Sequence, residues 1–124
     1  MNKGMFSSAT GDWKTPQDFF DKLDEDGYPT EAAIVALERH RVVGGDRMPH
    51  DVPLDEFLDL LESMWWAAEW GFERTKTRLN LSTGGWSSNE EVIGVLRQTW
   101  FWSLCWMQSR RGGHYKFDLE RWPK

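Results

Sequence analysis

The sequence predicts an α+β fold, in which helices come first and then cover a small sheet. Two observations indicate this class. The first half carries apolar residues at helical spacing, most clearly between Leu54 and Trp65. The second half carries the alternating patterns of strands, around Leu79–Leu81 and Tyr115–Leu119. A chain of 124 residues is expected to form one domain over 15–124, preceded by a flexible arm at 1–14.

Three helices are predicted in the first half. The first begins at Thr15-Pro16, because proline is tolerated in the first helical turn, and ends at Asp24–Gly27. Thr30 is the predicted N-cap of the second helix, which Gly44-Gly45 ends. Pro53 opens the third, whose apolar stripe consists of Leu54, Phe57, Leu58, Leu61, Met64 and Trp65. We interpret its opposite, acidic face as a solvated face, with an acidic docking surface as the alternative.

A strand, a glycine turn and a helix follow. Thr77, Leu79 and Leu81 alternate with polar residues, which predicts a strand with one buried face. After Gly84-Gly85, a serine is expected to cap the fourth helix and a glutamate to complete a capping box; the candidates are Ser87 or Ser88, and Glu90 or Glu91. Gly94, inside that helix, is expected to allow close packing on the sheet.

The last third is predicted to hold two strands. The segment 100–108 is apolar on both alternating faces, which is typical of a central strand that is covered on both sides. Arg110–Gly113 is the expected hairpin turn, and Tyr115, Phe117 and Leu119 form the buried side of a final strand. We expect the tail, 120–124, to be frayed.

Charge and composition limit the function classes. Fifteen basic and twenty acidic residues give a net charge of -5, which argues against wide, non-specific binding to nucleic acid. Mimicry of nucleic acid and binding to a basic protein patch stay open. Cys105 is the single cysteine, so a reducing cytosol is the natural compartment. The polar first fifteen residues predict no signal peptide, and no apolar run approaches the roughly 20 residues of a membrane span.

Nine tryptophans are an unusual number for a chain of this length. Tryptophan supplies large buried areas, and it is also enriched at binding surfaces. We expect roughly three core tryptophans for each functional one.

One candidate site follows from topology rules. Strand–helix–strand connections usually return parallel, and ligands in open α/β sheets bind at the carboxyl ends of strands. The glycine turn and the arginine hairpin would then lie at one edge of the sheet. The site would contain Thr83, Gly84, Gly85, Trp86, Ser87, Ser88, Asn89, Arg110, Arg111, His114 and Tyr115. Helix N-terminal amides with two arginines suit a phosphate or carboxylate, and the aromatic rings suit a base.

Competing interpretations of these residues stay open. The glycines can serve only a tight turn, the serines only a cap, and the arginines only a solvated hairpin. An enzyme would have His114 as its general base, but no nucleophile, metal or paired carboxylate accompanies it. No lysine follows the glycines as in a nucleotide-hydrolysing loop, and the histidines lack metal-ligand spacing with Cys105. We therefore predict no catalytic residues, no metal and no cofactor.

Four segments together resemble a family of small hypothetical proteins from bacteriophages and prophages. They are Tyr28-Pro-Thr-Glu31, Met64-Trp-Trp66 with Glu69-Trp-Gly-Phe72, Ser82-Thr-Gly-Gly-Trp-Ser87 with Asn89-Glu90, and Ser109-Arg-Arg-Gly-Gly-His-Tyr115. The resemblance covers roughly residues 28–120. It implies a phage setting and the cytoplasm of a host cell, and no mechanism.

The first 23 residues, with Phe6-Ser-Ser8, Trp13–Asp18 and Phe20, are similar to the opening of phage DNA adenine methyltransferases. The Asp-Pro-Pro-Tyr motif and the cofactor-binding glycine motif of those enzymes are absent from this sequence. Methylation is therefore not expected.

The leading hypothesis is a non-catalytic protein that binds a host or phage protein, including as an inhibitor of host defence such as CRISPR. The alternative is a protein that binds a small phosphorylated ligand or nucleotide at the Gly84-Gly85 and Arg110-Arg111 edge.

Overall fold

A computed structural model describes residues 23–123 of the chain. Its five helices are α1 (Glu31–Glu38), α2 (Leu54–Ser63), α3 (Ala68–Gly71), α4 (Ser87–Leu96) and α5 (Trp100–Cys105). Its four strands are β1 (Phe72–Arg74), β2 (Arg78–Ser82), β3 (Trp106–Arg110) and β4 (His114–Asp118). Short 3-10 turns occupy Pro49–Asp51 and Leu119–Arg121. The predicted arm at 1–14 and the first predicted helix, as far as Lys22, lie outside the described residues.

All pairings in the sheet are antiparallel, in the order β1-β2-β4-β3. The α+β class predicted from the sequence is confirmed. One face of the sheet carries Leu79, Leu81 and Phe117, which are fully buried. Because all three lie in a single cluster with the apolar residues of α1, α2, α4 and α5, this face forms the core with the helices.

The predicted starts of α1 and α2 are confirmed. Thr30 precedes α1, and its hydroxyl accepts a hydrogen bond from the amide of Ala33 at 3.2 Å. Pro53 is the N-cap residue of α2. The predicted stripe of α2 faces the core, where Phe57, Leu58 and Leu61 are at most 1% exposed.

The acidic face of α2 is partly neutralised by a neighbouring strand. Arg74 of β1 donates hydrogen bonds to Asp59 at 2.9 Å and to Asp55 at 2.7 Å. Burial lowers the pKa of the Arg74 guanidinium. The hydrogen bonds and charges of Asp59 and Asp55 together outweigh this effect and raise the pKa above its ordinary value. Strand β1 itself was not predicted, because its three residues are too few to show a period.

The predicted central strand over 100–108 is wrong. Residues 100–105 form α5, and the remainder belongs to β3, an outer strand whose five residues are all exposed. Thr99 decides the start of α5, because its hydroxyl accepts from the amide of Trp102. An apolar run with residues on both faces does not by itself distinguish a covered strand from a buried helix.

The predicted parallel return is confirmed in direction, although β2 and β3 are not neighbours in the sheet. Strand β4 lies between them and is antiparallel to both. Strands β2 and β3 nevertheless run in the same direction, so their carboxyl ends lie at the same edge of the sheet.

Two smaller predictions fail. Gly94 is exposed, and a Cβ placed on it would meet nothing within 4 Å, so it serves no close packing. The tail is not frayed as far as Pro123. Trp122 is 4% exposed, stacks near Phe57 and donates its indole N–H to the carbonyl of Val52 at 3.0 Å.

Candidate binding surface around the glycine turn

The turn after β2 lies directly against the hairpin between β3 and β4. The amide of Thr83 donates to the carbonyl of Gly113 at 2.9 Å, and Thr83 is 1% exposed. A Cβ on Gly113 would overlap the Thr83 hydroxyl, so only glycine allows this approach. The structure therefore brings together the two segments that the sequence analysis placed at one edge.

The predicted site residues of the hairpin divide between the two faces of the sheet. Ser82 and Arg110 are both paired with His114, and Ser82 Oγ lies 2.8 Å from His114 Nδ1. Tyr115 is paired with Leu81, which is buried, and so belongs to the helix-covered face. The prediction that Tyr115 and His114 face one ligand is wrong, because neighbouring residues of a strand point to opposite faces.

Tyr115 belongs instead to an aromatic cluster at the margin of the core. The Trp102 and Trp106 rings are stacked at 6.2 Å, and the Tyr115 ring lies 5.7 Å from that of Trp102. The Arg97 guanidinium lies 4.9 Å from the Trp102 ring centroid and 5.7 Å from that of Tyr115. Because Trp102 and Arg97 already lie against the Tyr115 ring, that ring is not free to stack on a nucleotide base.

The predicted serine cap of α4 is wrong, and so is its capping box. Trp86 is the N-cap residue, with no side-chain cap hydrogen bond, and Ser87 is already the first helical residue. Ser87 is exposed, whereas Ser88 is 6% exposed. The register of the turn decides this, because Trp86 donates its amide to the carbonyl of Thr83 at 3.0 Å.

Asn89 fastens the segment before α3 to the glycine turn. Its Oδ1 accepts from the amide of Trp66 at 2.7 Å, and its Nδ2 donates to the carbonyl of Trp66 at 3.0 Å. Nδ2 also lies 3.4 Å from the carbonyl of Thr83. The side chain is 1% exposed, so it positions two backbone segments and is not available to a ligand.

Three tryptophans form what we call the tryptophan surface, made of Trp66, Trp70 and Trp86. Their exposed fractions are 38%, 65% and 49%. The Trp66 and Trp86 rings meet edge to face at 6.3 Å. A Cβ on Gly84 would lie 2.8 Å from both the Trp70 and the Trp86 ring, so both rings close over the glycine.

Sequence reasoning named Trp86 and missed the other two. Ala67, between Trp66 and Trp70, has a left-handed backbone conformation, with φ 58°. It is the single non-glycine residue with positive φ among residues 23–123. The spacing of four residues between Trp66 and Trp70 was the one available signal. It places two side chains on the same face only if the segment is a continuous helix.

The tryptophans are less buried than the expected ratio of roughly three in the core to one at a functional surface. Of the eight tryptophans in the described range, Trp65 and Trp122 are fully buried, and Trp66, Trp70, Trp86 and Trp106 are counted among the exposed residues. The core uses phenylalanine and leucine where we expected tryptophan.

Charge is unevenly distributed around this surface. The segments 23–38, 62–73 and 79–96, which contribute the surface and its supports, contain no lysine or arginine. Their exposed acidic residues without an ion pair to any described residue include Asp24, Glu25, Asp26, Glu31, Glu69, Glu90 and Glu91. In contrast, the segment 97–117 contains no acidic residue and holds Arg97, Arg110, Arg111 and Lys116.

The arginine hairpin is open to solvent. Arg110 and Arg111 are exposed, and neither forms an ion pair within the part of the chain that the structure describes. A cavity of about 350 Å³ lies elsewhere, between Val52, Leu54, Leu119 and Trp122. None of the predicted site residues lines that cavity.

The buried titratable groups lie outside the candidate surface. Burial raises the pKa of the Cys105 thiol to about 12, so it is protonated and a poor nucleophile. Burial, with the nearby Arg47 and Arg39, lowers the pKa of His40 to about 4. Over residues 23–123, no group of three or more histidine, cysteine or acidic side chains is placed to hold a metal ion.

Comparison with known proteins yields no relative: no protein-family model, curated protein or solved structure matches this chain. Between residues 23 and 123, every helix is too short or too polar to cross a membrane.

Proposed function

We propose that this chain is a non-catalytic binding protein that engages a host or phage protein through the tryptophan surface. The observation that carries the proposal is the grouping of Trp66, Trp70 and Trp86 at one turn, each more than one third exposed. Tryptophan is the residue most enriched among the few that dominate binding energy at protein interfaces. A folded domain gains nothing from leaving three such rings partly in water at one place.

The surface is preorganised. Asn89 fixes the backbone of Trp66, and the Trp86 ring packs against both Trp66 and Gly84. A rigid anchor loses little conformational entropy on binding, which favours affinity.

The alternative, binding of a small phosphorylated ligand at the arginine edge, has less support. Asn89 is occupied by backbone groups, Tyr115 belongs to the other face, and no predicted site residue lines the cavity between Val52 and Trp122. Small-molecule sites are usually concave and bury most of their ligand.

The proposal is tested by affinity capture from lysates of host and phage-infected cells. The tagged chain should retain a stoichiometric partner, and the variant Trp70→Ala/Trp86→Ala should lose at least nine tenths of it, since anchors of this kind cost about 2 kcal/mol or more. Trp106→Ala is the matched control, because Trp106 is 42% exposed but belongs to the aromatic cluster with Trp102 and Tyr115. Equal capture by the double variant and the wild type would show that this surface is not the interface.

Inhibition of host defence is the specific form of this function that the phage resemblance suggests. A plaque assay on cells with active CRISPR immunity tests it separately. The wild-type chain should restore plaques of a targeted phage, and Trp70→Ala/Trp86→Ala should not. Equal plaque counts with and without the wild-type chain would contradict the inhibitor role and leave the binding function intact.

A further inference from the structure

We propose that the partner presents a basic segment, and that an arginine or lysine of this segment lies over the exposed rings of Trp70 and Trp86. This inference rests on the proposed function and names the chemistry of its partner. It follows from charge and ring geometry that are independent of any resemblance.

The first argument is the one-sided charge of the surface. Glu69 lies between Trp66 and Trp70 in sequence, and the amide of Glu90 donates to the carbonyl of Trp86. The turn 24–28 lies on the other side, where a Cβ on Gly27 would fall 2.6 Å from the Trp66 ring. Acidic residues therefore lie on three chain segments that form or contact the surface, and those segments contain no lysine or arginine.

The second argument is that these carboxylates are unpaired, unlike those of α2. Arg74 already binds Asp55 and Asp59, whereas Glu69 and Glu90 form no ion pair with any residue in 23–123. A cation that arrives with a partner finds unpaired acidic residues on the segments of the tryptophan surface, whereas Asp55 and Asp59 of α2 are already paired.

The third argument comes from the rings themselves. Cations are attracted to the face of an aromatic ring, and tryptophan is the strongest such partner. Elsewhere in this chain the same contact is already made internally, by Arg97 over Trp102. Trp70 and Trp86 have no cation over them among the described residues, and their exposure leaves room for one.

A protein segment fits these observations better than a nucleic acid. A nucleic acid needs cations at its phosphates, and the segments around the tryptophans offer none. A second copy of the chain could present its Arg110-Arg111 hairpin, and self-association is one of the outcomes examined below.

The test uses two acetylated octapeptides, one alternating glycine and arginine and one alternating glycine and glutamate. The tryptophan indole N–H signals of the full chain are followed by NMR during titration. The arginine peptide should move the signals of Trp70 and Trp86, and the glutamate peptide should move neither. Trp70→Ala and Trp86→Ala should each weaken arginine-peptide binding about twofold to fivefold, while Trp106→Ala leaves it unchanged.

Charge is tested by Glu69→Gln/Glu90→Gln, with Glu120→Gln, an exposed residue outside this surface, as control. The double variant should bind the arginine peptide more weakly, and salt should weaken the wild type, because exposed charges are screened. Three results would overturn the inference: no binding of the arginine peptide, binding with shifts elsewhere than Trp70 and Trp86, or self-association that uses Arg110 and Arg111.

Failure here is distinguishable from failure of the proposed function. A captured partner that depends on Trp70 and Trp86 can still bind equally well at low and high salt, and equally well to Glu69→Gln/Glu90→Gln. This result would leave the proposed binding function intact. It would show that the partner's contacts are apolar and not basic.

Discussion

At the scale of single residues, Asn89 connects the core to the tryptophan surface. Its side-chain amide bonds to the backbone amide and carbonyl of Trp66, in the segment between α2 and α3. Buried backbone groups without partners are costly, so one side chain here satisfies groups on two segments.

Asn89→Ala should lower the free energy of unfolding by about 1–3 kcal/mol, because it leaves the part-buried amide and carbonyl of Trp66 without their partner. Urea denaturation measures this. Ser87→Ala, two residues earlier and exposed, should change stability by less than about 0.5 kcal/mol. Equal stability of the two variants would contradict the tethering role.

His40 makes stability depend on pH. It is 5% exposed and meets Phe57 edge to face at 4.9 Å. Its pKa is about 4 in the folded protein and 6.5 ordinarily, so the imidazole is neutral in both states above pH 6.5. Between pH 6.5 and 4 only the unfolded chain gains the proton. Stability should therefore fall as the pH is lowered, by up to about 3 kcal/mol, and level off below pH 4.

Denaturation at a series of pH values checks this. His40→Gln should flatten the decline between pH 6.5 and 4, while His50→Gln, whose side chain is 68% exposed, should keep the wild-type slope. An unchanged slope in His40→Gln would assign the effect to other groups.

At the scale of elements, Thr99 decides what the tryptophan-rich segment becomes. Its hydroxyl donates to the carbonyl of Leu96 at 2.7 Å and accepts from the amide of Trp102 at 3.4 Å. Its hydroxyl therefore bonds to the last residue of α4 and also caps the start of α5. Helix α5 then buries Phe101 and Cys105, which are four residues apart.

Thr99→Val should destabilise the fold by about 1–2 kcal/mol, since the volume is kept and the cap is lost. Guanidinium denaturation followed by circular dichroism measures it. Ser103→Ala, on the exposed side of α5, serves as control and should be nearly neutral. A neutral Thr99→Val would mean that packing alone holds α5.

Elements with one clear period were predictable, and those without one were not. Helix α2 has an apolar stripe and a polar face, and β2 alternates strictly, so both were predicted correctly. The segment 100–108 has apolar residues on both alternating faces. Its aromatic residues pack partly on the core and partly on one another. Neither period dominates there, and the cap at Thr99 selects the helix.

At the scale of the whole molecule, the meeting of the glycine turn and the arginine hairpin followed from strand direction alone. Strands β2 and β3 run the same way, as expected, although β4 separates them. The tryptophan surface was not predictable in the same way. It depends on the left-handed Ala67 and on the long-range bonds of Asn89, and neither leaves a pattern in the sequence.

The uneven distribution of charge has a consequence for the kinetics of encounter. Acidic segments surround the tryptophan surface, and the basic hairpin begins directly beside it, where Gly113 meets Thr83. A charged partner approaching this boundary experiences a torque as well as an attraction, so it arrives already oriented. Long-range fields act on the association rate, whereas the lifetime of a complex depends on its close contacts. The carboxylates would thus determine how fast a basic segment is caught, and the indole rings how long it stays.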